Sequence, residues 1–204
     1  MLKGLLVVIS APSGGGKTTL CHNLLAADDR LTRALTCTTR APRPGEVEGS
    51  EYFFLAQDEF ERRVAAGEFL EHAVVHGRRY GTLRREVIER LGAGRDVLLA
   101  IDVQGAGVIR EETRRDADLA AALVTVFYVP GSPEILESRL RGRGTEDQET
   151  ARRRLAAARG EVARWSEFDY LVVSGSMAED VARLREILAA ERMRTHRQAA
   201  PWSL

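Results

Sequence analysis

"LLVVI" at Leu5–Ile9 runs without a break into "SAPSGGGKTTL" at Ser10–Leu20: a short apolar run, three glycines, a lysine and two threonines. Ala11–Thr18, "APSGGGKT", matches the phosphate-loop pattern G-x-x-x-x-G-K-[S/T] at every fixed position except the first, where alanine stands for glycine. Glycines let successive backbone N–H groups turn inward around phosphate oxygens, where a side chain would obstruct them. The helix that follows points its N-terminus at the same anion. In this reading Ala11, Pro12, Ser13, Gly14, Gly15, Gly16, Lys17, Thr18 and Thr19 bind a nucleoside triphosphate. Lys17 reaches the β- and γ-phosphates, and the Thr18 hydroxyl holds Mg²⁺. The bland alternative is a glycine-rich turn that happens to end in lysine. Scarcity argues against it, because of 30 basic residues only Lys3 and Lys17 are lysines.

Outward from the loop, short apolar runs alternate with longer amphipathic ones. Leu5–Ile9, Val97–Ile101, Leu123–Val129 and Tyr170–Val173 read as buried parallel strands, apolar on both faces. Helical patterns fall at Lys17–Ala27, Leu83–Leu91, Glu134–Arg141, Glu146–Arg164 and Ala178–Arg192. That alternation predicts an α/β fold with a mostly parallel sheet flanked by helices. Two regions break the rhythm. Arg40–Arg85 carries turn signals and short aromatic runs, as a small α+β insertion would. Gly131–Arg159 is rich in arginine and glutamate with little apolar content, which reads as exposed mobile helices.

Composition narrows the function classes. A chain of 204 residues, 44% hydrophobic and 29% charged, can bury one domain core. Thirty acids balance thirty bases, so no overall field points to nucleic acid or to an anionic membrane. Cys21 and Cys37 are too few for a disulfide framework and read as small residues in a reducing cytoplasm. The opening "MLKGLLVVIS" has an apolar run of only about five residues, against roughly 7–15 in a signal peptide. No run approaches a membrane span. A cytoplasmic protein is expected; oligomeric state is left open.

The second chemical signal lies in "TCTTRAPRPGEVEGSEYFF", Thr36–Phe54. Arg40 and Arg43 flank a proline, and guanidinium forks held by a stiff turn suit phosphate oxygens. An exposed basic loop is the plain alternative. In "FLEHAVVHGRRYGT", Phe69–Thr82, Glu71 sits on an apolar run. Such a carboxylate either lies at a solvated edge or meets a partner with two adjacent donors, as guanine N1–H and N2–H₂ are. "VLLAIDVQGAG" brings Asp102 to the carboxyl end of a predicted strand, where open α/β sheets place ligands.

Together with "RLRGRGTEDQE", these stretches make the chain resemble guanylate kinase over nearly its whole length. The resemblance implies a P-loop NTPase core at about 1–36, 88–130 and 160–204, a GMP-binding lobe at about 37–87 and a helical lid at about 131–159, all one domain. It implies transfer of the ATP γ-phosphoryl group to GMP or dGMP with Mg²⁺. By the same resemblance, Arg40, Arg43, Tyr52 and Tyr80 hold the GMP phosphate, and Glu71 reads guanine with Thr36 and Thr82 near O6. Asp102 stands at the purine edge or on magnesium-bound water. Arg139 and Arg143 match lid arginines, and Arg154 a further arginine of the transfer site. His22, His72, His76 and His196 match no functional position.

Two departures from the family pattern bear on the site. Ala100 stands where an acidic residue usually precedes Asp102 by two, and "VVSGS" at Val172–Ser176 replaces the usual "VND" beside adenine. The transfer itself needs positioning and positive charge rather than a base, since the acceptor phosphate is already anionic. Arginines divided between core, lobe and lid imply closing motions that keep water from ATP. The rival readings are a kinase of another small phosphate and a non-catalytic guanylate-kinase-like interaction module. The full set of Lys17, Thr18 and five arginines speaks against the module.

Overall fold

The computed structural model describes residues 2–50, 52–75, 77–141 and 148–198, the side chains of 141 and 148–154 excepted. The chain begins with β1 (Leu6–Ser10), α1 (Lys17–Ala27), β2 (Leu31–Arg33), β3 (Thr36–Thr38) and β4 (Tyr52–Phe54). It continues with α2 (Gln57–Ala65), β5 (Phe69–Val75), β6 (Arg78–Leu83), α3 (Arg84–Gly92) and β7 (Asp96–Ala100). Then come α4 (Val103–Thr113), α5 (Ala117–Ala122), β8 (Leu123–Val129), α6 (Pro133–Arg141), α7 (Gln148–Val162), β9 (Tyr170–Val173) and α8 (Met177–Arg192). Two compact units divide the chain: residues 1–6, 31–99 and 104–123 form one, and 7–30, 100–103 and 124–204 the other.

In the first unit β2 and β7 pair in parallel, Leu31 facing Asp96 and Arg33 facing Leu98. A second sheet runs β4-β3-β6-β5, with β3 parallel to β4 and antiparallel to β6. One face of that sheet is apolar: Cys37, Phe60 and Phe69 are buried together, with Phe53, Leu55, Val64 and Leu83 against them. Phe60 of α2 stacks on Phe69 with ring centroids 4.5 Å apart. Burial in this cluster pushes the Cys37 thiol up to about 12, which makes it inert at neutral pH.

Gly81 on β6 is what lets Phe69 lie flat across the sheet. A Cβ there would stand 2.8 Å from Phe69 Cδ1 and 3.1 Å from the Glu71 carbonyl oxygen. Gly81→Ala is therefore expected to destabilise the protein by about 1–3 kcal/mol through overpacking, read as a lowered urea midpoint at unchanged slope.

In the second unit, β1 is buried at every position, and β8 pairs in parallel with β9. α1 and α8 pack together, tied by the Arg192–Asp28 pair at 2.8 Å. Burial by itself would raise the Asp28 carboxyl, but hydrogen bonds from Arg192 and the Arg30 N–H hold it below its ordinary value.

Two sequence expectations need correction, and one stretch left unassigned in the sequence proves helical. β9 is not buried on both faces: Leu171 and Val173 are 45% and 46% exposed, because only the alternate face carrying Val172 is covered. The stretch from Val103 to Ala122 holds two helices, although Gly105 and Gly107 each disfavour a helix by about 1 kcal/mol relative to alanine. Tertiary packing overrides that penalty, since Ala106 and Ile109 are fully buried. α6 and α7 are not solvated all round either. Leu136, Leu140 and Ala158 form a small buried cluster with Leu155 and Val162 against it.

Candidate active site

The donor half begins where β1 ends. Ser10 is buried, and its hydroxyl donates to the Ile101 carbonyl at 3.0 Å and the Asp102 carbonyl at 3.2 Å, fixing the strand end to the segment that carries Asp102. The loop then turns twice through left-handed backbone, at Gly14 (φ 79°) and Gly16 (φ 96°). A side chain at either would strain the left-handed backbone, and a Cβ on Gly14 would also stand 2.9 Å from Leu140 Cδ2. Gly16 is also the N-cap of α1 and offers no side-chain acceptor of its own to the first-turn N–H groups. Uncapped N–H groups at the positive end of a helix are an anion site.

Charge converges on this loop. Lys17 Nζ donates to the Ile101 carbonyl at 2.6 Å. Arg139 donates through Nη1 to the Gly15 carbonyl at 3.1 Å. Glu161 of α7 accepts the Ser13 N–H at 2.7 Å, a contact not legible in the sequence. Thr18 and Thr19 are exposed on the first turn of α1. Thr18 and Asp102 supply hard oxygen donors of the kind Mg²⁺ takes alongside phosphate oxygens and water. Arg143 lies outside the described residues, and so does the side chain of Arg154, whose backbone belongs to α7.

Beside the loop a cavity of about 560 Å³ is lined by Gly14, Gly16, Tyr128, Arg139, Ser174 and Gly175, among others. This is where "VVSGS" falls. A Cβ on Gly175 would stand 2.8 Å from Glu179 Oε2, so a larger residue there would have to displace that carboxylate. Tyr128 and Asp180, which reasoning from sequence missed, both hydrogen-bond Ser174.

The acceptor half is a single row across the second sheet. Tyr52 on β4 is level with Thr36 on β3, Thr36 with Thr82 on β6, and Thr82 with Glu71 on β5. Paired residues share a face, so these four side chains point the same way, with Tyr80 two residues from Thr82 on that face as well. Glu71 reaches it through an irregularity. Phe69 pairs with Leu83 but Glu71 pairs with Thr82, a shift at Leu70. In a regular strand Phe69 and Glu71 would share a face, and the carboxylate would enter the apolar cluster; the bulge turns it to the other side. Glu71 is 3% exposed, and its Oε1 accepts the Thr82 hydroxyl at 2.7 Å.

Arg40 stands over this row. Its guanidinium lies 5.4 Å from the Tyr52 ring centroid and 5.8 Å from that of Phe54, and Tyr52 meets Tyr80 edge-on at 6.2 Å. Glu46 holds it there: Oε1 takes Arg40 Nη2 at 2.8 Å, while Oε2 takes the Arg43 N–H at 2.7 Å. The same two contacts, Arg40 first, hold the Glu46 carboxyl below its usual range. Glu46 could have been suspected from "RPGEVEG", where it follows the arginines within one turn. The structure thus gathers Thr36, Arg40, Tyr52, Glu71, Tyr80 and Thr82 in the first unit, whereas Asp102 belongs to the second with Lys17. His22, His72 and His196 are exposed, and His76 lies outside the described residues.

Comparison with known proteins shows the family. The guanylate kinase family model matches residues 3–191. The chain is 45% identical over 196 residues to a guanylate kinase of Paramagnetospirillum magneticum, covering 96% of this chain and 89% of that one. It is 47% identical over 198 residues to a guanylate kinase of Symbiobacterium thermophilum, covering 97% and 90%. Among solved structures, a guanylate kinase from Anaplasma phagocytophilum superposes with a TM-score of 0.77 at 32% identity, covering 98% of this chain and 92% of that one.

Proposed function

The chain belongs to the guanylate kinase family, nucleoside monophosphate kinases that move the γ-phosphoryl group of ATP to GMP, and we propose how its residues divide that work. Ala11–Thr19 cradles the ATP phosphates, with Lys17 and Arg139 as the nearest cations. Thr18 and Asp102 would hold Mg²⁺, which would supply charge neutralisation at the β- and γ-phosphates. Arg40, Arg43, Tyr52 and Tyr80 take the GMP phosphate. Glu71 accepts guanine N1–H and N2–H₂, and Thr36 and Thr82 stand near O6. Arg143 and Arg154 complete the charge at the transferred group.

One observation carries this reading: the row Tyr52–Thr36–Thr82–Glu71. The glycine loop alone serves many acceptors, but a buried carboxylate level with two threonine hydroxyls, under an arginine and two tyrosines, matches a guanine with its phosphate. No proton need be removed from the acceptor phosphate, so the row's carboxylate, Glu71, is not needed as a general base. Both substrates are cytoplasmic nucleotides, and no described helix is long and apolar enough to cross a membrane; we place the enzyme in the cytoplasm.

Coupled ADP release with ATP and Mg²⁺, offering GMP, AMP, UMP and dTMP separately, tests the assignment. GMP alone is expected to drive turnover, and excess EDTA to stop it. A better response to another monophosphate would discard the Glu71 assignment while keeping the scaffold. Turnover that persists in EDTA would remove the metal from the reading.

A further inference from the structure

Ser174, Gly175 and Ser176 line or adjoin the 560 Å³ cavity beside the phosphate loop. Every polar hydrogen of this segment is already engaged. The Ser174 N–H donates to the Val129 carbonyl at 2.8 Å, the Gly175 N–H to Asp180 Oδ1 at 2.9 Å, and the Ser176 N–H to Glu179 Oε2 at 3.0 Å. The Ser176 hydroxyl donates to Glu179 Oε2 at 2.9 Å. The Ser174 hydroxyl stands 3.1 Å from Asp180 Oδ2 and 2.7 Å from the Tyr128 hydroxyl, which is itself 2.6 Å from the same carboxylate oxygen.

Three oxygens here share two protons, and a carboxylate only accepts. Serine donating to Asp180, directly or through Tyr128, makes a charge-assisted bond that a proton turned into the cavity would give up. In that favoured arrangement Ser174 Oγ presents lone pairs to the cavity. Asp180 enforces this from full burial, at 0% exposure, and Arg183 Nη1 lies 3.7 Å from its other oxygen. Burial and Asp180 push the Tyr128 phenol up, so it remains a donor across the working range.

We propose that Asp180 is a specificity-determining positioning residue: it locks Ser174 as an acceptor, so that the rim at 174–176 takes a nucleoside triphosphate with a 6-amino base and disfavours one with a 6-oxo base. This rests on the donor phosphates lying in the loop Ala11–Thr19. An exocyclic amine brings the hydrogens the rim lacks, whereas a 6-oxo group sets lone pair against lone pair. The carboxylate reaches the rim from the first turn of α8, which compensates for the absence of a side chain at Gly175.

The test compares kcat/KM for ATP and ITP, which differ at position 6 and the adjoining N1, at saturating GMP. Asp180→Asn brings an amide donor to the network and releases a hydroxyl proton toward the cavity. It is expected to shrink the ATP-over-ITP preference about tenfold, with the KM for GMP unchanged. Ser174→Ala, at a half-buried position outside the buried carboxylate, covers the case in which Asp180→Asn does not fold. It is expected to raise the KM for ATP about three- to tenfold, with ITP unaffected and kcat held. An equal ATP-over-ITP ratio in wild type and in every folded variant would overturn the proposal, as would wild-type indifference to the base. Failure of the wild type to phosphorylate GMP from ATP would instead count against the phosphate-loop and acceptor assignments, so the two failures are separable.

Discussion

Lys17→Met is expected to lower kcat with ATP and GMP by about a thousandfold or more while leaving the protein folded. A cation fixed on the transferred group is worth about 10³–10⁵ in phosphoryl transfer, because the transition state spreads charge over oxygens that the protein can only surround, not bond. Methionine keeps the length and bulk of the lysine stem and removes only the charge. The carbonyl that Lys17 contacts is not orphaned by the change, since the Ser10 hydroxyl also donates to Ile101 at 3.0 Å. The unfolding midpoint should therefore move little, and the KM for GMP should hold, since the acceptor assignments draw on other side chains. Lys17→Arg is not expected to rescue, because a planar fork cannot occupy the place of a compact ammonium between two phosphates. Near-normal turnover in Lys17→Met would sink the phosphate-loop assignment.

The loop was legible because its parts are local. A buried strand, left-handed glycines and a helix start lie within twelve residues, and each leaves its own mark on composition. Glu71 was legible as a residue but not as a direction. "FLEHAVV" alternates poorly, and nothing in it announces that Leu70 bulges and turns the carboxylate away from Phe60 and Phe69. Only the pairing with Leu83 and Thr82 settles the face. Asp180 was hidden for a different reason. "MAEDVARL" reads as the acidic first turn of a solvated helix, and that is what Glu179 is, with its capping box to Ser176. Its neighbour in sequence, Asp180, turns inward and bonds Tyr128. Two adjacent acids on a helix lie about 100° apart, so composition alone cannot say which is buried.

Glu71→Gln separates recognition from stability most cleanly. The substitution keeps shape and the hydrogen bond with Thr82, but turns one of the two acceptor oxygens into a donor. Guanine brings two adjacent donors, so one contact survives at the amide oxygen and the other becomes a clash of hydrogens. With Glu71 only 3% exposed, water cannot relieve that clash. The expected loss is roughly 3–4 kcal/mol, about 10²- to 10³-fold in kcat/KM for GMP, carried mainly by KM. Adenine offers the opposite pattern, an acceptor at N1 beside an amine, which an amide can match in both directions. AMP should therefore gain as GMP loses, and the GMP-over-AMP ratio should collapse from both sides. Stability should not fall with it: a buried carboxylate is costly to desolvate, and its neutral isostere is often as stable or more so. A lost preference at an unchanged or raised unfolding midpoint is the outcome that marks a reader of the base. A lower midpoint with the preference intact would make Glu71 a structural anchor for Thr82, and the row across the sheet would then need another residue to distinguish guanine.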